Sequence, residues 1–306
     1  VKGLNEVDYL TYRTVLNMDE LPDSLIILGA GFIGVEYAGI YSRLGVDVTV
    51  VEVGDRILPR LDREISRVLT ESMGGSGVSF RLDSMAESVR QEGDRVIVDA
   101  SGDELTGQKI LVATGVKPNT LNLGLEEAGV ETDERGFIKV DDALKAGRDN
   151  IWAIGDVNGR SLFTHAGVNE MRVRAENISQ GKKGKRAQII PYAVYTEPEV
   201  GSVGKTQREL EGEGIEFETV VRDLTSTSRS IMTGEETGCF KLLFKKDGEI
   251  LGAHMVGEKA SDLIHEFVLL MNCGNPREEF RKTLHIHPST SEAFEAVKRE
   301  YLEKTS

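Results

Sequence analysis

The stretch of residues 24–52 constrains the fold of this chain more than any other. An apolar run, Ser24–Leu28, predicts a β-strand that leads directly into three glycines, Gly29, Gly31 and Gly34. A helical pattern of apolar residues follows, at Ile33, Tyr37, Ile40 and Leu44. A second β-run, Asp47–Val51, then ends at Glu52. Strand, glycine turn, helix and strand in this order predict one βαβ unit of a doubly wound α/β domain.

Each glycine of this turn has its own physical role. Gly29 allows the tight turn, Gly31 lets the backbone approach a pyrophosphate, and Gly34 lets the helix pack closely on the strand. The start of the helix offers free N–H groups and a positive dipole to phosphates. Glu52 follows Gly34 by 18 residues, where a carboxylate accepts hydrogen bonds from ribose hydroxyls and repels a 2′-phosphate. The unit therefore predicts binding of NAD(H) rather than NADP(H); a glycine-rich turn without a ligand is the alternative.

Composition narrows the class of protein further. With 306 residues, 39% hydrophobic and 29% charged, the chain is expected to form two or three globular domains. A net charge of −14 argues against nucleic acid and anionic membranes as partners. No apolar run is long enough to span a bilayer, and the only cysteines, Cys239 and Cys273, fit a reducing cytoplasm. The chain begins at Val1 without a leader, which predicts a fragment or a processed product.

The rest of the chain divides into an α/β part and an α+β part. In the first part we expect a helix capped by Asp62, a strand at 78–82, a β-meander at 85–106, buried strands at 110–113 and 151–154, a short β-signal at 137–140, and a helix at 166–179. The basic run 180–185 reads as a linker. In the second part we expect strands at 192–195, 240–244 and 250–255, a turn at Asp247-Gly248, and helices at 206–213, 259–272 and 291–304.

Several motifs in a fixed order carry a family resemblance. They lie at 29–34 with Glu36, 48–52 with 55–58, 113–115 with 118–119, 153–156, 195–199, 203–206, 250–254 and 285–292. Taken together, they resemble the flavin-dependent pyridine nucleotide–disulfide oxidoreductases, which include lipoamide dehydrogenase, mercuric reductase and the soluble transhydrogenase. The resemblance implies a Rossmann-type NAD-binding domain with a β-meander, part of a second, FAD-binding Rossmann-like domain, and a C-terminal α+β dimerisation domain.

The resemblance also implies domain boundaries and a missing part. We expect a hinge remnant at 1–22, the NAD-binding domain at 23–119, part of the FAD-binding domain at 120–186, and the dimerisation domain at 187–306. The family begins with a flavin-binding half that carries its own glycine motif and a Cys-x4-Cys redox pair. This sequence contains neither, and Cys239 and Cys273 do not have that spacing. The chain is therefore expected to lack roughly one domain of 100–150 residues and to be catalytically incomplete as it stands.

The FAD-binding residues are assigned by the same resemblance. Gly155 and Asp156 end a predicted strand, where ligands bind in α/β folds and where a carboxylate would accept from a ribityl hydroxyl. A plain turn is the alternative. The residues that would start the next helix against the flavin are Leu162, Phe163, Thr164, His165 and Ala166. His165 is assigned a structural rather than a catalytic role.

Two further positions belong to the dinucleotide sites. Gly115 matches a position that lines the dinucleotide, and Glu36 matches one near the nicotinamide that pairs with a lysine on the flavin side. That lysine is absent from this sequence. For Glu36, a favourable interaction with the helix dipole is an equally sufficient explanation.

His287 and Glu292 are the candidate catalytic residues. A histidine followed by proline, with a carboxylate five residues later, suits an imidazole that an acid orients for proton transfer to and from a thiol. By resemblance, this pair reaches into the flavin–disulfide site of a partner subunit, so a homodimer through residues 187–306 is expected. A structural His-Pro at a helix start is the alternative. His285 is the weaker candidate, and the histidines and cysteines have no metal-ligand spacing.

Three hypotheses about function follow. The first is an NAD-dependent flavoprotein oxidoreductase, most like dihydrolipoamide dehydrogenase, that uses FAD and a small-molecule or protein-bound disulfide substrate in cell redox homeostasis. The second is a soluble transhydrogenase-like flavoenzyme, favoured by Arg229-Ser-Ile-Met232 but opposed by Glu52 and by His287, which transhydrogenases lack. The third is an NAD-binding, dimerising module without activity.

Overall fold

A computed structural model of the chain describes residues 1–148, 150–180 and 184–305. It separates into two compact units, one formed by Val1–Thr114 with Pro191–Ser306 and one by Gly115–Ile190.

The first unit contains the predicted parallel sheet. Its strands are β1 (Ser24–Leu28), β2 (Asp47–Val51), β3 (Val78–Arg81) and β7 (Lys109–Val112), in the order β3-β2-β1-β7. Helices α1 (Phe32–Arg43) and α2 (Arg63–Gly75) connect β1 to β2 and β2 to β3. All neighbouring strands are parallel, with Ser24 opposite Asp47. The prediction of a doubly wound α/β domain is therefore confirmed, since parallel neighbours require such crossover connections.

The β-meander also forms as predicted. Strands β4 (Ala86–Glu92), β5 (Arg95–Ala100) and β6 (Asp103–Gly107) make a three-stranded antiparallel sheet. Tight turns join the strands, with a left-handed backbone at Gly93 and Gly102. Glycine adopts this conformation without steric cost, which is why these positions end the strands.

The buried face of α1 differs from the predicted one. Ile40 and Leu44 are exposed, whereas Val35, Ala38 and Tyr41 face the core. The cause is the close approach at Gly34, where an added Cβ would lie 1.9 Å from the carbonyl oxygen of Gly29. This contact turns the Gly34 side of the helix towards the sheet. Ala38 and Tyr41, one and two turns later, therefore also face the core.

The C-terminal part of the first unit is an antiparallel sheet with helices. Its strands, in the order β10-β11-β12-β9-β8, are β8 (Tyr192–Val194), β9 (Glu199–Gly204), β10 (Glu218–Asp223), β11 (Cys239–Phe244) and β12 (Ile250–Gly257). The predicted hairpin around Asp247-Gly248 joins β11 to β12. Apolar side chains of this sheet, among them Val194, Val200 and Val256, share one core with the parallel sheet.

The helices of this part are shorter than predicted. They are α4 (Gln207–Glu213), α5 (Ser228–Thr233), α6 (Ala260–Leu263), α7 (His265–Asn272), α8 (Pro276–Lys282) and α9 (Phe294–Lys304). The single helix expected at 259–272 is interrupted at Ile264, which is buried between α6 and α7. A 3₁₀ turn, Thr290–Ala293, precedes α9.

The second unit, Gly115–Ile190, contains one long helix, α3 (Thr164–Gln180). The prediction of a buried strand at 151–154 is wrong. The segment forms only a single bridge, between Trp152 and Lys145, and Ile154 is exposed. No strand in the described part of this unit lies beside the segment to extend the pairing. Of the predicted basic linker at 180–185, residues 181–183 lie outside the described residues. Nowhere in the described chain is a helix both long and apolar enough to cross a bilayer.

Candidate nucleotide-binding and catalytic sites

The glycine turn after β1 has the geometry of a phosphate-binding loop. An added Cβ on Gly29 would lie 2.8 Å from the carbonyl oxygen of Ala113, and Gly29 has a φ of 99°. Gly29 and Gly34 are therefore required by packing within the protein. Gly31 directly precedes α1, and an added Cβ there would meet nothing within 4 Å. Gly31 thus leaves open space beside the first N–H groups of the helix, where a pyrophosphate fits.

Glu52 lies next to this turn. Its Oε2 accepts a hydrogen bond from the N–H of Ala30 at 2.7 Å, and its Oε1 accepts one from the N–H of Gly54 at 2.9 Å. These two bonds fix the carboxylate beside the phosphate loop. Each oxygen keeps a further lone pair, so the group can also accept from hydroxyls of a ribose. The residues present therefore fit an adenine dinucleotide without a 2′-phosphate.

Glu36 connects the glycine-loop helix to the antiparallel sheet. Its Oε1 accepts a hydrogen bond from the N–H of Tyr195 at 2.8 Å. Burial raises the pKa of Glu36, and the bond from Tyr195 acts in the opposite direction. The side chain thus anchors α1 to the segment after β8.

The Gly155-Asp156 turn is held by Glu170, a residue that no sequence motif indicates. Gly155 has a φ of 73° and donates its N–H to Oε2 of Glu170 at 2.8 Å. The side-chain amide of Asn158 donates to the same oxygen, also at 2.8 Å. Glu170 is buried one helical turn after Ala166, which is also buried. The sequence signal for Glu170 is its position four residues after Ala166, on the same face of the helix. Asp156 itself is exposed.

The other predicted flavin-binding residues lie at the start of α3. Thr164 is the first residue of the helix, Leu162 and Phe163 come directly before it, and Ala166 is buried in its first turn. The rings of Phe163 and His165 stack with centroids 5.6 Å apart. Since a helix start presents free N–H groups, and since Asp156 offers an exposed carboxylate, these residues fit a flavin dinucleotide. Gly115, three residues after the end of β7, has a φ of 136° and open space at its Cβ position.

His287 and Glu292 form a pair in the structure. His287 Nδ1 lies 2.8 Å from Glu292 Oε1. Because a carboxylate accepts hydrogen bonds only, Nδ1 carries the proton and donates it, which leaves Nε2 as the basic nitrogen. The His287 side chain is 67% exposed and Glu292 sits on the 3₁₀ turn before α9. The arrangement can accept a proton from, and return it to, a group that reaches the surface.

His285 and the cysteines are not part of the His287–Glu292 pair. The side chain of His285 points inward and is 2% exposed. Cys239 and Cys273 are free thiols, and burial raises the pKa of Cys239 to about 11, so this thiol stays protonated at neutral pH. Within the described residues, no group of three or more histidine, cysteine, aspartate or glutamate side chains could hold a metal ion.

Comparison with known proteins identifies the family of this chain. The family described as "Pyridine nucleotide-disulphide oxidoreductase" matches residues 1–179, and its "dimerisation domain" matches residues 190–297. Dihydrolipoyl dehydrogenase 3 of Haloarcula marismortui is 35% identical over 301 residues, which cover 95% of this chain and 63% of that protein. The mercuric reductase of Bacillus cereus is 33% identical over 290 residues, covering 93% of this chain and 46% of that protein.

A solved structure gives the same result. The chain superimposes on the Cu(II) complex of the HOCl-induced flavoprotein disulfide reductase RclA from Escherichia coli with a TM-score of 0.89 and 29% identity. The match covers 97% of this chain and 69% of that one. The chain spans about three fifths of the length of the dihydrolipoyl dehydrogenases it matches.

Proposed function

This chain belongs to the pyridine nucleotide–disulphide oxidoreductase family, and from that premise we propose that it serves in the NADH-dependent reduction of a disulfide. The activity is most like that of the dihydrolipoyl dehydrogenases. In the reductive direction, NADH and one proton convert a disulfide into two thiols and leave NAD⁺. The single observation that carries the proposal is the hydrogen bond between His287 and Glu292, at 2.8 Å on an exposed segment.

NAD(H) binds at the glycine turn in this proposal. The N–H groups at the start of α1 bind the pyrophosphate, Gly31 gives it room, and Glu52 accepts hydrogen bonds from the ribose. Glu36 lies on the same helix, in the second turn. The support for this assignment is the fixed position of the Glu52 carboxylate beside the loop.

FAD is the second cofactor of the proposal. When bound, it supplies the two-electron relay between the nicotinamide and the disulfide. The residues that would hold it are Gly155, Asp156 and the start of α3, at residues 162–166. Glu170 keeps the Gly155 turn in place by accepting its N–H.

In this proposal, His287 transfers the proton to and from the thiol. Nε2 takes the proton when the thiol is needed as a thiolate and returns it when the thiol must leave protonated. Glu292 accepts the hydrogen bond from Nδ1–H, so Nε2 is the ring nitrogen that faces away from Glu292 and exchanges the proton. This pair also distinguishes the proposal from a transhydrogenase-like enzyme, which needs no histidine for thiol chemistry.

The proposal includes a homodimer formed by residues 187–306 and a location in the cytoplasm. The match to a dimerisation domain supports the first. Two free cysteines, with no disulfide between them, support the second.

Substitution of His287 tests the proposed chemistry. The experiment uses the natural polypeptide that contains this chain, purified with FAD supplied. His287→Gln should lower NADH-driven turnover of a small disulfide by on the order of 10²–10⁴-fold, the usual contribution of a general acid–base. Reduction of the flavin by NADH, followed by stopped-flow absorbance, should keep its rate. Glu292→Gln should reduce turnover less, because Glu292 orients the imidazole and does not transfer the proton.

His265→Gln is the matched control, since His265 lies on α7 and is exposed. It should leave both rates unchanged. Full turnover in His287→Gln, or equal loss of flavin reduction, would show that the pair is structural and that the proposed activity is wrong.

A further inference from the structure

His285 is a buried histidine placed between two carboxylates. Its Nδ1 lies 2.6 Å from Glu295 Oε1 and its Nε2 lies 3.1 Å from Glu266 Oε2. Glu295 belongs to the first turn of α9 and Glu266 to the first turn of α7. Carboxylates accept hydrogen bonds, so both ring nitrogens carry protons and the ring is an imidazolium.

Aromatic rings and a lysine surround the imidazole of His285, whose side chain is almost fully buried. The ring packs edge-on against Phe280 and Phe294. Lys298, also on α9, donates from Nζ to Glu295 Oε1 and to the carbonyl oxygen of Thr283, both at 2.7 Å. The charged groups that face His285 are therefore Glu266 from α7 and Glu295 and Lys298 from α9. The residue joins three elements: α7, α9 and the irregular segment 283–289.

The irregular segment needs such an anchor. Its neighbouring side chains Leu284 and Ile286 are 90% and 76% exposed, and His287 is 67% exposed. Only His285 among these four points inward. The two histidines contact carboxylates that lie three residues apart, with His287 on Glu292 in the 3₁₀ turn and His285 on Glu295 in the first turn of α9. The inner pair is therefore close enough in the chain to influence the position of the outer pair.

We propose that His285, as an imidazolium held between Glu266 and Glu295, is the positioning residue that keeps His287 on Glu292. It acts through the segment 283–289 and touches no substrate. The inference rests on the proposed function only in that His287 is the proton-transfer group. The contacts themselves are independent of that role.

Because His285 titrates, its effect on the position of His287 should depend on pH. The hydrogen bond to Glu266, and then that to Glu295, raise the pKa of His285 above 6.5 against the effect of burial. A raised pKa in the folded state stabilises the fold fully below about pH 6.5, and this stabilisation is lost as pH rises through the raised value. Above it, one nitrogen would direct a lone pair at a carboxylate. The segment should then loosen as the pH rises through the raised pKa of His285.

Magnetic resonance of the imidazole nitrogens tests the proposal without any turnover. The 306-residue chain is labelled with ¹⁵N-histidine, and the five histidines are assigned by single substitutions. In the unmodified chain at pH 7, both nitrogens of His285 should be protonated, and His287 should show the Nδ1–H form. In His285→Gln and in His285→Phe, the fraction of His287 in that form should fall at least twofold. His265→Gln should leave the signal of His287 unchanged.

The result that overturns the proposal is an unchanged His287 signal in both His285 variants. A neutral His285 at pH 7 overturns it as well. If the variants do not fold, the pH titration of the unmodified chain decides, because loss of the His285 proton must change the His287 signal in the same step. A coupled His287 signal together with a fully active His287→Gln enzyme would reject the proposed function and leave this positioning intact.

Discussion

At the scale of single residues, Glu52 is a charge in a fixed position, because two backbone N–H groups hold its carboxylate. Its two hydrogen bonds, to Ala30 and Gly54, leave it little freedom to turn away from a ligand at the glycine turn. A phosphate on the 2′-oxygen would therefore meet a negative charge that cannot move aside. Discrimination against NADPH follows from this repulsion and from the lost hydrogen bonds to ribose hydroxyls.

Neutralising the charge of Glu52 should reduce the preference for NADH over NADPH. We expect the chain to bind NADH more tightly than NADPH, and Glu52→Gln to reduce the ratio of the two dissociation constants by about tenfold, or roughly 1.4 kcal/mol. Fluorescence titration of both nucleotides measures the ratio. Asp55→Asn, an exposed carboxylate on the same loop, is the control and should leave it unchanged. Equal affinity for NADPH in the unmodified chain would contradict the assignment of Glu52.

At the scale of elements, a buried polar cluster joins α2 to the antiparallel sheet. Lys241 on β11 has a side chain only 1% exposed, and its Nζ reaches Gln207 Oε1 at 2.6 Å, Glu64 Oε2 at 2.9 Å and Asp62 Oδ2 at 3.4 Å. Asp62 is 4% exposed and accepts the N–H of Gln207 at 2.9 Å. The cluster lies where the loop after Glu52 enters α2, so the sheet supports the end of that loop.

Removal of Lys241 should destabilise the protein strongly. Lys241→Met leaves the buried carboxylate of Asp62 without its cation, which typically costs about 3–5 kcal/mol of unfolding free energy. Adding Asp62→Asn should recover part of this loss, because the uncompensated charge is gone. Urea unfolding followed by circular dichroism measures the difference. Lys245→Met, which breaks an exposed pair with Glu249, is the control and should cost less than about 1 kcal/mol. Equal losses for Lys241→Met and Lys245→Met would contradict a buried ion cluster.

The same cluster shows where sequence patterns stop being informative. Periodicity and turn residues correctly predicted β1, α1, β2, the meander and the β11–β12 hairpin, since each depends on residues close in sequence. Asp62 is at the predicted N-cap position of α2 but makes no side-chain cap bond, because Gln207 and Lys241 bind its carboxylate instead. Those partners lie 145 and 179 residues away, and no local pattern indicates them.

The residues of the candidate sites also divide into those that a local sequence pattern predicts and those that depend on partners far away in the sequence. The glycine turn and the His-Pro motif are local, and both were predicted from their spacing. Glu170 and the carboxylates around His285 were not, because their partners are brought together by packing between elements. The strand predicted at 151–154 failed for a related reason, since an apolar run becomes a strand only where another strand lies beside it.

At the scale of the whole molecule, the exposed apolar side chains of the C-terminal part need a partner. Leu284, Ile286 and Leu269 are each more than 70% exposed, and the first two flank the buried His285. Exposed apolar residues close together on one segment are typical of interaction surfaces. The match of residues 190–297 to a dimerisation domain makes a second copy of this chain the expected partner. In such a dimer, we expect the partner to cover Leu284 and Ile286, which lie next to His287 in the chain.

The dimer can therefore be tested at these side chains. We expect the 306-residue chain to sediment as a homodimer. Burial of one leucine or isoleucine contributes about 1.5–3 kcal/mol, and a charge at the same place must also lose its hydration. The double substitution Leu284→Glu with Ile286→Glu should consequently weaken the dimer by at least about a hundredfold, a change that analytical ultracentrifugation over a concentration series would reveal. Leu44→Glu, at an exposed residue directly after α1, is the matched control and should leave the dimer unchanged. If the unmodified chain is a monomer at all concentrations, His287 has no partner site to reach and the proposed assembly is wrong. A dimer that survives the double substitution would mean instead that the contact lies on another face of residues 187–306.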